Sequence, residues 1–337
     1  MIEPTPQVSV IIATHNRPRL LPRAVRSALA AGAGVEVIVV DDASEEETAR
    51  VCRGLAGVRY LRVERNQKLG GARNVGLAAS RAEYVSFLDD DDIRLPGSLD
   101  TQAEVLRANP EAGFVYGQAW LADQNGEQTG EFYPNPCPRG DIFWELLERN
   151  FIPCAAPVFR KSCLLRVGMP SDDLPGIEDW DLWVRIAELY SVECVERRVV
   201  IYRQATPASG QLTSATGEMV ALLNRAYRGR WLKLPRAAAA PPAQRRRALG
   251  RFSRDMTDVL FHQSGRALAS GCFLQAQKNL MTALRWHPLI AGRRIIDTSG
   301  PRQFLGGVLH ERRLSGRRGL SARPESRAAA TYEDGPL

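Results

Sequence analysis

Residues 83–96 read EYVSFLDDDDIRLP, a short apolar run followed at once by four aspartates. The run contains a valine and two aromatic residues, which favours a buried β-strand. Four adjacent carboxylates repel one another, and none of them is stable in an apolar interior without a partner. Such a run is ordinarily a solvated loop. Because it directly follows an apolar strand here, we interpret it as the edge of a binding site.

Three similar apolar runs precede this stretch and alternate with helical patterns. The predicted strands are VSVIIA, VEVIVV and VRYLRV, at residues 8–13, 35–40 and 58–63. The predicted helices cover residues 18–31, a segment with Ser44 as its N-cap, residues 70–80 after a Gly70–Gly71 turn, and residues 96–110. Alternation of strand and helix at this spacing is typical of an α/β fold, with a mostly parallel sheet and helices on both faces.

Polar residues follow three of the predicted strands, at residues 14–16, 41–42 and 89–92. The carboxyl ends of parallel strands meet at one edge of a sheet, and ligands bind beyond that edge. We therefore expect these three polar groups to lie close together.

The remaining chain predicts a mixed middle part and a C-terminal α-helical extension. The middle elements are a hairpin over 114–133 turning at Asn125–Gly126, a helix over 141–149, an extended segment over 152–160, a helix over 177–190 and a strand over 194–203. After residue 215, a helix break is predicted within 237–247 and a helical hairpin over 251–287 that turns near Gly271. We predict domains over residues 1–215 and 216–300, and a flexible tail over 301–337.

The composition excludes several classes of protein. Of the 337 residues, 44% are hydrophobic and 25% are charged, as in ordinary globular proteins. No apolar run approaches the roughly 18 residues of a membrane-spanning helix, and the N-terminus shows no secretory signal. The six cysteines form no C-x-x-C pair. We therefore expect a cytoplasmic protein with reduced thiols.

The charge is distributed unevenly along the chain. Residues 1–220 carry 23 basic and 31 acidic side chains, whereas residues 221–337 carry 22 basic and 7 acidic ones, a net charge of +15. Three interpretations stay open for the basic part: peripheral contact with the inner face of a membrane, binding of a pyrophosphate-linked lipid or acidic glycan, or a solvated surface with no further role. We expect no nucleic-acid partner, because no aromatic-interleaved platform appears.

Two acidic groups predict chemistry. Clustered carboxylates without thiols or imidazoles nearby suit Mg²⁺ or Mn²⁺, which complete their ligand shells with phosphates and water. Residues 89–92 therefore predict a diphosphate substrate. Asp41 and Asp42 are candidates to accept hydrogen bonds from a ribose or a base, or to cap the next helix.

The segment IEDWDLW offers a candidate general base. One helical turn spreads Glu178, Asp179 and Asp181, so that only one or two of them face a cleft. A carboxylate in a partly apolar cleft between Trp180 and Trp183 is suited to accept a proton. The structural alternative is an acidic first turn that the helix dipole favours.

Five motifs occur in order at defined spacings: PQVSVIIATHNRPRLLPRAVRSAL, VEVIVVDDAS, ARNVGLAAS, YVSFLDDDDIRLP and IEDWDLW. Together, over about residues 7–205, they resemble the family 2 glycosyltransferases, which are inverting enzymes of the GT-A fold. The resemblance implies a metal-dependent enzyme that moves a sugar from a nucleoside-diphosphate sugar, with UDP, GDP or dTDP, to a hydroxyl of a glycan or lipid-linked acceptor. It also implies a role in cell-surface polysaccharide or glycolipid assembly.

The same resemblance implies roles for individual residues. Asp179 matches the general base, and Asp91, together with Asp89, matches the metal ligands, with Mg²⁺ or Mn²⁺ as the cofactor. The residues expected around the donor are Thr14, His15, Asn16, Arg17, Asp41, Asp42, Arg73, Asn74, Asp89, Asp90, Asp92 and Glu178. The run YRQATPASGQLTS at residues 202–214 is expected to close over the donor.

Two other functions remain as alternatives. A sugar-phosphate nucleotidyltransferase has a similar fold, but it carries a Gly- and Arg-rich loop after its first strand, where this chain has ATHNRPRLL. A non-catalytic module that binds a nucleotide sugar or a glycan would not need both Asp91 and Asp179.

Overall fold

The computed structural model of the protein describes residues 5–204, 216–269 and 271–296. The chain divides into two compact units, residues 1–257 and 258–337. The predicted domain boundaries at residues 215 and 300 fall in segments outside the described residues and stay predictions. The predicted tail over 301–337 and most of the predicted closing loop over 202–214 also lie outside the described residues.

A single sheet organises the described part of the first unit. Its strands are β1 (Val8–Thr14), β2 (Val35–Asp42), β3 (Val58–Val63), β4 (Tyr84–Phe87), β5 (Ile93–Arg94), β6 (Ala112–Ala122), β7 (Gln128–Tyr133), β8 (Val158–Arg160) and β9 (Ser191–Arg203). Their order across the sheet is β3-β2-β1-β4-β8-β6-β9-β5, and β7 pairs with β6. The longer ladders, β1 with β2, β2 with β3, β1 with β4 and β6 with β9, are parallel. The sheet is therefore mixed and mostly parallel, as expected.

Helices pack on both faces of this sheet. The helices of the first unit are α1 (Leu21–Leu29), α2 (Glu46–Gly54), α3 (Lys68–Ala79), α4 (Ser98–Ala108), α5 (Phe143–Glu148), α6 (Leu164–Val167), α7 (Glu178–Leu189), α8 (Thr216–Gly229), α9 (Pro235–Ala239) and the first part of α10 (Pro242–Ala269).

Alternation along β1 shows how the two faces are used. Val10 and Ile12 belong to the core cluster that contains the apolar residues of α1 and α4. Ile11, between them, points the other way and faces Gly76 of α3. Because successive strand residues point to opposite faces, this one strand is buried on both sides. Burial on both faces explains why the sequence of β1 is almost continuously hydrophobic.

Two local predictions were wrong. Gly70 and Gly71 lie inside the first turn of α3 rather than in a turn before it. A Cβ on Gly70 would lie 3.2 Å from the Ser171 carbonyl oxygen, so the close approach of another segment favours glycine there. Ser44 is not the N-cap of α2; the cap is Glu45, and the Ser44 hydroxyl accepts a hydrogen bond from the Asn16 amide.

The other predicted elements are found with shifted ends. The β6–β7 hairpin turns at Gly126, whose φ is +81°. The strand predicted before the acidic run ends at Phe87, and only Val158–Arg160 of the segment 152–160 forms a strand. The predicted helix break is confirmed, because α9 ends at Ala239 and α10 begins at Pro242.

The second unit is helical in its described part. It contains the end of α10, then α11 (Phe273–Trp286) and α12 (Pro288–Ile296). Gly271 has a φ of +75°, and the Ser264 hydroxyl of α10 donates a hydrogen bond to the Ala276 carbonyl oxygen of α11 at 2.8 Å. The predicted helical hairpin with a turn near Gly271 is therefore confirmed. Across the described residues, no helix is both long and apolar enough to cross a membrane.

The contact between α3 and β1 gives a test of the packing. A Cβ added at Gly76 would lie 2.4 Å from Ile11 Cγ2, so Gly76→Ala forces α3 away from the sheet. We expect the free energy of unfolding to fall by about 1–3 kcal/mol in urea denaturation. Gly54→Ala is the control, since an added Cβ there meets no atom within 4 Å. Equal effects of the two substitutions would contradict this packing.

Candidate active site

The predicted meeting of strand ends occurs at the C-terminal edge of β1, β2 and β4. The Thr14 hydroxyl donates a hydrogen bond to Asp90 Oδ2 at 2.8 Å. Arg17, in the loop after β1, contacts both Asp90 and Asp91 at 3.0 Å. The loop after β1 and the acidic run after β4 are thus connected by charge-assisted hydrogen bonds.

Arg73 of α3 connects the acidic run to the start of α7. Its side chain is 3% exposed, and it contacts Asp89 Oδ1 and Glu178 Oε1, each at 2.6 Å. The guanidinium group also lies 5.0 Å from the centre of the Phe87 ring. Glu178 accepts a further hydrogen bond from the Gly176 amide at 2.6 Å. The buried guanidinium group of Arg73 therefore holds together residues that are far apart in sequence.

The acidic run is crowded and short of positive charge. Burial raises the pKa of Asp90 to about 7, although Arg17 opposes this shift. Burial also raises the pKa of Asp91, with Asp89 adding to the shift. For Asp92, burial and the neighbouring carboxylates raise the pKa well above its ordinary value. Each raised pKa indicates that the ionised form of the carboxyl group is unfavourable at its position.

Arg203, at the end of β9, partly compensates this charge. Its guanidinium lies 3.2 Å from Asp91 Oδ2, and its backbone amide donates to Asp92 Oδ1 at 2.9 Å. Asp92 Oδ2 is buried and has no hydrogen-bond partner among the described residues. A buried, unpartnered carboxylate oxygen calls for a further donor or cation.

The residues present fit a hard divalent cation. The available ligands are carboxylate oxygens, and their raised pKa values show that a positive charge would stabilise their ionised forms. Over residues 5–204, 216–269 and 271–296, no group of three or more His, Cys, Asp or Glu side chains is arranged to hold a metal by itself.

Asp179 is partly exposed at the start of α7, beside these groups. Burial raises its pKa, and the nearby Arg73 opposes the shift. The charges of both Asp92 and Asp179 help to raise the pKa of Tyr133, at the end of β7. Tyr133 therefore lies near both the acidic run and Asp179.

The predicted aromatic walls around Asp179 were wrong. Trp183 is fully buried and packs on Phe114 and Phe159, with ring centres 5.2 and 5.6 Å away. Trp180 is also buried and packs on Trp231. Both tryptophans lie on the sides of α7 that face the interior, so they belong to the core.

Asp181 points away from the cleft. Its carboxylate accepts hydrogen bonds from Trp231 Nε1 and Arg185 Nε, both at 2.8 Å. This agrees with the expectation that only one or two of the three acids in IEDWDLW face a cleft.

Asp41 is fully buried at the end of β2 and supports the loop that follows. It accepts hydrogen bonds from the Ser44 amide, the Tyr60 hydroxyl and Arg62, at 2.8–2.9 Å. Despite its burial, these contacts hold the pKa of Asp41 below its ordinary value. The nucleotide contact expected for Asp41 stays a prediction.

The neighbouring Asp42 and the loop after β1 are also connected. His15 Nδ1 donates to the Asp42 carbonyl oxygen at 2.8 Å, and the Gln67 amide donates to Asp42 Oδ1 at 2.6 Å. Asn16 has a φ of +56°, and its side-chain oxygen accepts a hydrogen bond from the Glu45 amide. His15 and Asn16 are exposed at this edge, where a base is expected.

Asn74 points in a different direction from Arg73. Its amide nitrogen donates to the Pro170 carbonyl oxygen at 3.0 Å and to Asp172 Oδ1 at 2.9 Å. Asn74 thus holds the segment before α7, and its expected contact with the sugar stays a prediction.

Sequence reasoning did not single out Tyr133, and it included Tyr202 and Arg203 only within the run 202–214. The two tyrosine rings lie 6.4 Å apart, and the charge of Asp92 helps to raise the pKa of both. Arg203 was visible only as part of the polar run after the last strand. No sequence feature indicated the position of Tyr133, because its neighbours in the chain do not distinguish it from other tyrosines in strands.

A cavity of about 180 Å³ adjoins the acidic run. Its lining includes Asp91, Asp92 and Arg203, together with Arg19 just before α1 and Arg23 in its first turn. The acidic run therefore borders a concave space.

The motifs and this geometry agree with a known protein family. The model of the family described as "Glycosyl transferase family 2" matches residues 9–164. Residues 9–164 thus match a glycosyl transferase family 2 domain. The matched region contains β1 to β8 and the acidic run, while α7 with Asp179 follows it.

Relatives of this glycosyl transferase family 2 domain occur in several bacteria. An uncharacterized glycosyltransferase from Rickettsia conorii is 31% identical over 187 residues, which are 53% of this chain and 31% of that protein. The succinoglycan biosynthesis protein ExoO from Rhizobium meliloti is 38% identical over 106 residues, 31% of this chain and 30% of the relative. The matches thus span about a third of the length of these two relatives.

A third relative is a glucosyltransferase. The GalNAc(5)-diNAcBac-PP-undecaprenol beta-1,3-glucosyltransferase from Campylobacter jejuni is 36% identical over 134 residues, which are 38% of this chain and 42% of that protein.

Solved structures give the fold. The crystal structure of S. aureus TarS aligns with a TM-score of 0.53 at 19% identity, covering 88% of this chain and 54% of TarS. Together with the family match, this confirms the expected GT-A fold.

The buried ion pairs of Arg73 predict a large effect on stability. Arg73→Met leaves Asp89 and Glu178 without their cation, so we expect the free energy of unfolding to fall by about 3–5 kcal/mol at neutral pH. Arg53→Met is the matched control, because Arg53 pairs with Glu46 on the surface, where such pairs contribute less than about 1 kcal/mol. A small, equal loss in both variants would show that Arg73 does not hold the site together.

Proposed function

We propose that the protein is a metal-dependent inverting glycosyltransferase that moves a sugar from a nucleoside-diphosphate sugar to an acceptor hydroxyl. The observation that carries the proposal is the buried Arg73, which contacts both Asp89 of the acidic run and Glu178, next to Asp179. In this proposal, Arg73 holds the acidic run for the diphosphate close to the candidate base. This is the arrangement that a direct displacement at an anomeric carbon needs.

The donor would bind at the C-terminal edge of the sheet. Exposed groups of His15 and Asn16 lie where a base would bind, and Asp42 lies next to them. Arg17 and Arg203 already contact Asp91, and both can turn to the phosphate oxygens of a donor that brings its own negative charge. Arg73 would stay in place and keep Asp89 oriented.

Asp91, with Asp89, would hold the Mg²⁺ or Mn²⁺ ion. When bound, this ion supplies positive charge that stabilises the leaving nucleoside diphosphate. Asp90 and Asp92 lie beside these ligands. The buried Asp92 Oδ2 would accept a hydrogen bond from a sugar hydroxyl or from a water bound to the metal ion. The protein itself contributes few ligands in this proposal, as is usual for Mg²⁺.

Asp179 would act as the general base. It accepts the proton of the acceptor hydroxyl, and the oxygen then attacks the anomeric carbon while the bond to the diphosphate breaks on the opposite side. The configuration inverts, and no covalent enzyme intermediate forms. Because Arg73 opposes the rise in the pKa of Asp179, it favours the ionised form that a base requires.

The acceptor belongs to cell-surface polysaccharide or glycolipid assembly in this proposal. Support comes from two relatives whose names state succinoglycan biosynthesis and a glucosyltransferase acting with a PP-undecaprenol-linked glycan. We also propose that the basic C-terminal region holds the protein at the inner face of the membrane, where a lipid-linked acceptor would lie.

Nucleotide binding tests the donor site. We expect one of UDP, GDP and dTDP to raise the melting temperature of the protein in the presence of Mn²⁺, because ligands that bind only the folded state stabilise it. Asp91→Asn should abolish the metal-dependent part of this shift. Asp100→Asn is the control, since Asp100 accepts a hydrogen bond from the Ala33 amide away from the cleft. A shift that needs no metal, or that survives Asp91→Asn, would refute the metal site.

Turnover tests the base separately. Asp179→Asn should retain the nucleotide-dependent melting shift but lower the release of nucleoside diphosphate from the matching nucleotide sugar by about 10²–10⁴-fold. The assay measures diphosphate release with a panel of glycan and lipid-linked acceptors. Unchanged release in Asp179→Asn would assign the base to another residue. Binding without release by the wild type would favour a non-catalytic module.

A further inference from the structure

The second unit carries a surface that mixes exposed apolar and basic side chains. Phe273 and Leu274, at the start of α11, are 71% and 66% exposed, and Leu289 in α12 is 74% exposed. Met281 lies two turns along α11 from Leu274 and is 43% exposed. Large apolar side chains at such exposure are unusual when they occur together on one element.

Basic side chains lie between these apolar ones. Lys278, one turn after Leu274, and Arg285, one turn after Met281, are both exposed on α11. The opposite side of α11 packs inward through Ala276, Asn279 and Ala283. The exposed side of α11 therefore repeats apolar and basic residues at helical spacing.

No acidic residue occurs in this part of the chain. Residues 271–296 contain four basic side chains, at positions 278, 285, 293 and 294, and no aspartate or glutamate. The exposed surface of α11 together with Leu289 is called the α11–α12 face below. Its charged side chains are all basic.

We propose that the α11–α12 face binds the surface of a membrane that contains anionic lipids. Phe273, Leu274 and Leu289 would enter the boundary between headgroups and acyl chains, while Lys278 and Arg285 contact lipid phosphates. An interfacial helix is recognised by this combination of basic and apolar side chains on one face. With 14 residues, α11 is about 21 Å long and would lie along the bilayer plane rather than across its apolar core of about 30 Å.

The charge of the face selects this occupant over a second copy of the chain. Two α11–α12 faces brought together would place like charges opposite each other, which opposes association. An anionic lipid surface instead attracts each Lys or Arg near it and also accepts the apolar side chains. A nucleic acid would satisfy the charges but would leave the exposed leucines in water.

This inference deepens the proposed peripheral location by naming the surface that makes the contact. The biological purpose of this membrane contact rests on the proposed function. The contact itself is measured without any sugar transfer. A failed transferase assay and a failed membrane assay are therefore separate results.

The experiment is flotation of the purified full chain with vesicles of phosphatidylcholine, with and without phosphatidylglycerol. We expect the wild type to float with the anionic vesicles, and to do so less as salt is raised. The double variant Phe273→Ser/Leu274→Ser should reduce the vesicle affinity about tenfold or more, because two partly inserted apolar side chains are lost. The double variant Lys278→Glu/Arg285→Glu should reduce it at least about tenfold.

Matched controls come from the first unit. Leu165→Ser removes a side chain that is 90% exposed on α6, and Arg107→Glu/Arg139→Glu reverses two exposed basic residues. Both controls should float as the wild type does. Melting temperatures of all variants show that each remains folded, which is expected because the substituted side chains are exposed.

Several outcomes would overturn the proposal. These are no flotation of the wild type, equal flotation with neutral vesicles, or an equal loss in the controls and in the α11–α12 variants. A dimer in light scattering that the Phe273→Ser/Leu274→Ser variant abolishes, without any vesicle binding, would assign the face to self-association instead.

Discussion

The ion pairs of Arg73 with Asp89 and Glu178 are the contacts on which the rest of the site depends. Arg73 comes from α3, Asp89 from the end of β4 and Glu178 from the start of α7. Because Arg73 and Glu178 are almost fully buried, ionised Glu178 is not stable there without the guanidinium group. The position of Asp179 follows directly, since it is the residue after Glu178 on the same helix. A charge pair in the interior thus sets the distance between the acidic run and the candidate base.

The acidic run itself is held by a second group of arginines. Arg17 and Arg203 contact Asp91 from the loop after β1 and from the end of β9. They do not neutralise the run, because the pKa values of Asp90, Asp91 and Asp92 all remain raised. A positive charge would stabilise the ionised carboxylates of such a site, and the site also offers arginines to an anion. A metal diphosphate carries both kinds of charge, which is why the proposed donor suits this geometry better than either a free cation or a free phosphate would.

Part of this arrangement was predictable from the sequence, and the limits of the prediction have physical causes. Thr14, Asp41 and Asp89 follow apolar runs, and the rule that parallel strand ends share an edge was enough to bring them together. Trp180 and Trp183 were misplaced, because their positions on α7 fix only their angular spacing and not which side faces the sheet. Gly70 and Gly71 were read as a turn, since the sequence does not show that Ser171 approaches α3. Tyr133 and Tyr202 were not singled out, because their position depends on how β7 and β9 pair with β6.

The sequence by itself determined the order of strands and helices, the acidic run and the family, because these depend on local periodicity and on motifs that are contiguous in the chain. It also determined that the C-terminal part is basic. Only the tertiary structure decided that Arg73 joins Asp89 to Glu178, that Asp181 turns to Trp231, and that Phe273 and Leu274 stay exposed. Each of these depends on contacts between segments distant in sequence, or on which side of a helix is left uncovered after packing. Such contacts are set by the whole fold, so no local pattern encodes them.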